Sequence, residues 1–152
     1  MIPEAPPPHE REPENEPWRP HSNPPFGPEA AASVERSLAQ LRDPDDAIRI
    51  LSGIEQNGAA FAAYLMLQDT NLAAENIIDT FYDSYLDAWK HFDRFRTVVL
   101  ENLGWLDAVK SVMTEQGIPA DHLTWNRSAI DQQIFETYDA VHLDGWWHIF
   151  QK

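Results

Sequence analysis

The chain has 152 residues, no cysteine, and 25 acidic against 11 basic side chains, for a net charge of −14. Disulfides, thiolate chemistry and Cys-ligated zinc are therefore closed to it, and a field of that sign disfavours direct binding to nucleic acid or acidic membranes while speeding encounter with a basic partner. Its longest apolar run, residues 59–67, is nine long, whereas a helix needs roughly 20 such residues to cross a bilayer, so a membrane-spanning role is not expected.

Ten of the twelve prolines fall between Pro3 and Pro28, among Glu4, Glu10, Glu12, Glu14 and Glu16. So little apolar surface cannot offset ordering entropy, and residues 1–29 read as a disordered Pro-rich acidic tail ahead of a single compact domain, 30–152. Removing the tail's two Arg and six Glu takes away −4 and leaves −10. The acidity thus belongs to the domain. The first 30 residues hold no basic segment leading into an apolar stretch, which makes the cytoplasm the expected location.

Along the domain, Pro28-Glu29 opens a helical pattern with Val34, Leu38 and Leu41 on one side, stopped at Asp43-Pro44. Asp43 or Asp45 then caps a second helix, whose Ile48, Leu51 and Ile54 share a face and whose end is marked by Asn57-Gly58. Residues 59–67 predict a helix apolar on nearly every side, the centre of a small core. From the candidate caps Asp69, Thr70 and Asn71, helical spacing runs through Leu72, Ile78, Phe81, Tyr85, Trp89, Phe92, Phe95 and Val99 to Leu103-Gly104. Such a helix would be unusually long and has an aromatic-rich centre, so a break is expected between Tyr85 and His91. Leu106, Val109 and Met113 mark a further helix, ended by Gly117-Ile118-Pro119, and Asn126 caps a short one reaching Glu136. The period then changes to that of strands over 138–143 and 146–150, joined by Asp144-Gly145, a pair suited to a two-residue hairpin turn. The expectation is an α+β fold: about six helices and a C-terminal β-hairpin, mostly helical.

Catalytic patterns are scarce. The six glycines, at 27, 53, 58, 104, 117 and 145, are scattered as turn and cap residues rather than clustered into a phosphate cradle. No serine stands in a Gly-x-Ser-x-Gly elbow, and no His-Glu-x-x-His is present. His142 and His148 with Asp144 would make a three-ligand set only if both imidazoles shared a face; the register set by the turn opposes Val141 to His148 and separates them. The reading is of a protein that is not an enzyme, with no cofactor and no metal site.

What stands out instead is Glu75, Asp79, Asp83 and Asp87, acids at four-residue intervals in a stretch of 40 residues, 50–89, without Lys or Arg. On one helix they would form a slowly winding row about 6 Å apart. Three like-charged pairs would oppose that helix by roughly 1 kcal/mol. A solvated face explains such a row, and so does a line of negative charges spaced like phosphates; a break near Tyr85 would take Asp87 out of it. A domain of this length is about 35 Å across. Over that length duplex DNA carries about 20 phosphates, roughly half on one side, a number of the same order as the domain's charge.

Residues 81–89 (Phe81-Tyr82-Asp83-Ser84-Tyr85-Leu86-Asp87-Ala88-Trp89), Phe92-Asp93-Arg94-Phe95 and Leu100-Glu101-Asn102-Leu103-Gly104 resemble the later part of ArdA-type antirestriction proteins, which carry an aromatic–acid–Tyr–Gly–aromatic run leading into an acidic helix that ends in Gly. Ile118-Pro119-Ala120-Asp121-His122-Leu123 is similar to the family's Pro-containing turn, and 141–150 to its closing hairpin, so that the resemblance covers roughly 59–150. Asp87 replaces the family's usual Gly, Asn126 a capping Asp, and Gln132-Gln133-Ile134 an Arg-Asp-Leu; the family's first domain is not evident, as in a shortened or divergent member. The resemblance implies an acidic homodimer, encoded on mobile elements such as plasmids and phages, that imitates bent DNA and fills the DNA-binding groove of a type I restriction–modification enzyme by stoichiometric competition. It would contact neither nucleic acid nor membrane directly. Its candidate contacts are Glu75, Asp79, Asp83, Asp87, Asp93, Glu101 and Asp107. The competing expectation is an acidic protein-interaction module that inhibits or regulates another basic-surfaced partner, anchored by exposed rings among Trp89, Trp105, Trp125, Trp146 and Trp147.

Overall fold

A computed structural model describes residues 23–152. The tail's residues 1–22 lie outside the described residues.

Helix α1 (Pro28–Gln40) starts with Pro at its first turn and buries Ala30, Ser33, Val34 and Ser37. Asp43 caps α2 (Pro44–Asn57), its carboxylate accepting the Asp45 N–H at 2.9 Å. Gly58, at φ 58° and ψ −131°, joins α2 to α3 through a conformation that side chains oppose. Every residue of α3 (Ala59–Tyr64) is buried, as its all-round apolar pattern predicts. Two close contacts seat it: the Ser33 hydroxyl donates to the Ala62 carbonyl at 2.7 Å, and Gly53 lets the Phe61 ring lie directly on the α2 backbone.

Turns then occupy the chain up to α4 (Ile77–Ser84), which begins later than the caps at 69–71 predict. Asn71 accepts the N–H of Ala73 at 3.1 Å and the Thr70 hydroxyl donates to the Tyr64 carbonyl at 2.8 Å. Those local bonds tie the backbone into turns instead of a first helical turn. The expected break does fall at Tyr85, where the chain straightens into a strand, β1 (Tyr85–Trp89). Next come α5 (Phe92–Asn102), α6 (Trp105–Gln116), a short 3-10 turn (Ala120–His122), α7 (Arg127–Thr137) capped by Asn126, and the hairpin β2 (Tyr138–Leu143) and β3 (Trp146–Gln151).

The described residues therefore form an α+β fold of seven α-helices and one antiparallel sheet in the order β1-β3-β2. The hairpin is present where the turn signal puts it, with Val141 opposite His148 and His142 opposite Trp147. β1 joins the far side of β3, with Tyr85 opposite Phe150 and a register irregularity between Tyr85 and Asp87. Alternation along the strands feeds two cores. On one face Tyr85, Val141, Leu143 and Phe150 pack with α3, Ile50, Ile77 and Phe81. On the other, Ile149 packs with Phe95 of α5 and Ile134 of α7, flanked by Trp89, Phe92, Tyr138 and Trp147. No helix among the described residues is long and apolar enough to cross a membrane.

Candidate functional site

The four-acid row does not lie on one helix. Glu75 sits in the turns ahead of α4, Asp79 and Asp83 are on α4, and Asp87 is on β1. Two local causes divide the row: Asn71 and Thr70 hold the preceding backbone in turns, and Tyr85 opens a strand that pairs with β3. Asp79 and Asp83 remain one helical turn, about 6 Å, apart. Both are exposed, as is Glu75, and none of the three makes an ion pair among the described residues. Asp87 is half-buried, and its carboxylate accepts the neighbouring Ala88 N–H at 2.8 Å.

The remaining candidate acids are placed elsewhere. Asp93 is exposed in the first turn of α5, Glu101 is exposed near that helix's end, and Asp107 is exposed in the first turn of α6. Asp93 is not a bare charge. The Arg96 guanidinium donates to it at 2.5 Å and holds its carboxyl below the usual carboxylate range, mainly through that hydrogen bond. The same Arg96 grips Asp131 of α7 with two bonds, Nε to Oδ1 at 2.6 Å and a terminal nitrogen to Oδ2 at 2.7 Å. This two-pronged bond is the main reason the guanidinium is held protonated even more firmly than usual, against the opposing effect of its burial. Arg96 also lies 5.7 Å from the Phe92 ring centre, so it fastens α5 to α7 rather than projecting into solvent. The seven acids are thus divided among a turn, α4, β1, α5 and α6, and only Glu75, Asp79 and Asp83 form a local group clear of basic residues.

The hairpin tip carries a further acid with a defined task. Asp144, at φ 48°, accepts N–H bonds from Gly27 at 2.8 Å, Glu29 at 2.9 Å and Ala30 at 3.0 Å, and its own N–H donates to the Glu29 carboxylate at 2.9 Å. Burial works against its ionisation, and the three N–H donors outweigh that and hold its pKa below the ordinary value. It is the N-terminal cap of α1, supplied from the other end of the chain. Residues 27–29, assigned to the tail by composition, are anchored by it.

His148 is fully buried on β3, on the opposite face from His142, so the two imidazoles do not converge. Its Nδ1 lies 2.9 Å from the Tyr85 hydroxyl, and its Nε2 has no hydrogen-bond partner among the described residues. Burial, more than any neighbouring charge, lowers its pKa to about 4 and raises that of Tyr85 far above the phenol value, so the pair is neutral near pH 7.

Of the five tryptophans after the tail, Trp89, Trp146 and Trp147 are half-buried, whereas Trp105 is 42% and Trp125 37% exposed. The rings of the last two lie nearly parallel, 9° apart, with centres 6.5 Å from one another. Around them Leu103, Val112 and Leu123 are each about half exposed, and α6 buries none of its own residues. Helical spacing locates α6 but gives no sign that its apolar side is left uncovered. The links between distant residues, Arg96 with Asp131 and Asp144 with α1, carry no sequence signal beyond the residue types.

Comparison with family models, curated proteins and solved structures gives no match to this chain.

Proposed function

We propose that the chain is an acidic decoy: it occupies the DNA-binding groove of a type I restriction–modification enzyme, the target class implied by the resemblance to ArdA-type antirestriction proteins, and excludes DNA by stoichiometric competition in the cytoplasm. The observation that carries this reading is the exposed group Glu75, Asp79 and Asp83, free of ion pairs among the described residues and set in 40 residues without Lys or Arg. Carboxylates of this kind stand in for phosphates. Basic side chains of the target replace their counterions, and affinity falls as salt rises. Bonds are neither made nor broken, so the chain acts only at concentrations comparable to that of the enzyme it blocks.

Asp87, Glu101 and Asp107 extend the negative field around this group, and Asp93 contributes less because Arg96 neutralises it. The test is to plate unmodified phage on a type I restricting host with and without the expressed chain. Relief of restriction, together with displacement of DNA from the purified enzyme near a one-to-one ratio, supports the proposal. Full restriction despite good expression of folded protein overturns it, and would favour an acidic module directed at a different basic partner.

A further inference from the structure

The arm formed by α6 and residues 117–126 leaves an apolar face that its own domain does not cover. Leu103, Trp105, Val112, Leu123 and Trp125 are 53, 42, 52, 53 and 37% exposed. At roughly 200 Å² for a large side chain these five leave roughly 500 Å² open, near the top of the roughly 300–600 Å² that the largest patch on a typical monomer reaches. Standard interfaces bury about 800 Å² per partner. The polar rim and the linings of two clefts supply the difference.

Those clefts adjoin the tryptophan pair. One, of about 470 Å³, is floored by Leu100 and Ile134 and walled by Leu103, Trp105 and Tyr138, and its single charged lining residue is Glu136. The other, of about 650 Å³, runs between α6 and the chain ahead of α7, with Val109, Met113, Leu123 and Trp125 among its walls, and its single charged lining residue is Lys110. One apolar cleft thus carries one acid and its neighbour carries one base. A two-fold axis lying in the contact plane between them sets the first cleft of one copy over the second cleft of another. Glu136 of each copy then meets Lys110 of the other, and Trp105 faces Trp125 across the axis.

We infer that this arm is the contact between two copies of the chain, with the Trp105/Trp125 pair at its centre and reciprocal Glu136–Lys110 pairs at its edges. The occupant is a second copy because the face complements itself in charge. The inference does not depend on the antirestriction reading: it concerns the purified chain alone, and a monomer that still relieves restriction would fail it and leave the proposed function standing. Two chains of net charge −14 repel at long range. Added salt therefore leaves this association unchanged or tightens it, the reverse of what decoy binding predicts.

Sedimentation velocity on the full chain over a wide concentration range tests this, with E136K, K110E and the double variant E136K/K110E. Both residues are exposed and α6 buries none of its own, so the fold is expected to survive, as circular dichroism would verify. The wild type should dimerise. Each single charge reversal should raise the dissociation constant roughly tenfold, since two pairs become like-charge contacts, and the double variant should return it close to wild type. L123D, a change at the apolar centre, should leave the chain monomeric and folded. A wild type that stays monomeric at the highest concentration, a dimer indifferent to L123D, or a double variant no better than the singles would each overturn the inference.

Discussion

Asp144 is one carboxylate with two structural tasks, and the two can be separated by substitution. Its backbone forms the positive-φ hairpin turn with Gly145, while its side chain takes three N–H groups at the start of α1. D144N keeps a residue tolerant of the turn but loses the charge, and D144A loses both the acceptors and the turn preference. The expected order of stability in urea unfolding is wild type, D144N, D144A, with D144A lower by about 2 kcal/mol or more. Equal losses would mean that the turn alone matters. The turn is legible in the sequence because Asp-Gly between two β-prone runs has a local meaning. The cap is not, because its donors lie more than 110 positions away and nothing local distinguishes a capping Asp from a turn Asp. His148 shows the same gap: alternation places it on a strand, but only the packed core shows that it is sealed beside Tyr85. Its folded pKa of about 4 lies below the ordinary 6.5, so the unfolded chain binds the proton first. Stability is then complete above about pH 6.5 and falls as pH drops towards 4, by up to roughly 3 kcal/mol. Asp144, whose folded pKa is also lowered, adds its own loss only at still lower pH. Replacing the pair as Y85F/H148F should flatten the limb between pH 6.5 and 4 in a series of unfolding curves and leave the more acidic limb in place. A variant with the wild-type slope would assign that limb to other groups.

Among the helices, the packing of α2 on α3 decides the sign of a substitution that propensity alone would misjudge. Gly53 lies inside α2, where exchange for Ala ordinarily stabilises a helix by about 1 kcal/mol. A methyl group there would stand 2.5 Å from the Phe61 ring, which is fully buried and hemmed in by Tyr64 and Phe81, so it has little room to yield. Overpacking of this kind costs typically 1–3 kcal/mol, and G53A should therefore lower the thermal midpoint. A raised midpoint would show that Phe61 can move after all. Periodicity and caps make α1, α2, α6 and α7 legible because those signals are local. The start of α4 is not legible because Asn71 and Thr70, good caps by type, make turns instead. β1 is hidden because a five-residue strand has no identity until its partner is known, and that partner, β3, lies some 60 residues further on. The break before it is nonetheless readable from the run of aromatics.

For the molecule as a whole, total charge is legible at once and its arrangement is not, since arrangement depends on which acids the fold leaves bare. Asp93 and Asp131 are engaged by Arg96, Asp46 by Arg49, and Asp144 by backbone N–H groups. The acids that remain clear of basic neighbours are the group around α4. If the chain acts through that group, neutralising it should matter more than removing equal charge elsewhere. E75Q/D79N/D83N and a control, E35Q/E115Q/D121N, lower the net charge by the same three units at exposed positions. Long-range attraction to a basic groove should fall alike in both. Only the first set should also lose close-range pairs, worth up to about 1 kcal/mol each, so its competition with DNA for the target enzyme should weaken by roughly ten- to a hundredfold. Competition binding over a range of salt concentrations reads both effects, because the α4 variant should also show the shallower salt dependence. Should the two triple variants weaken binding equally, net charge alone drives recognition and the position of the α4 acids is immaterial. Should neither do so, the contact is not electrostatic, and the decoy mechanism fails with it.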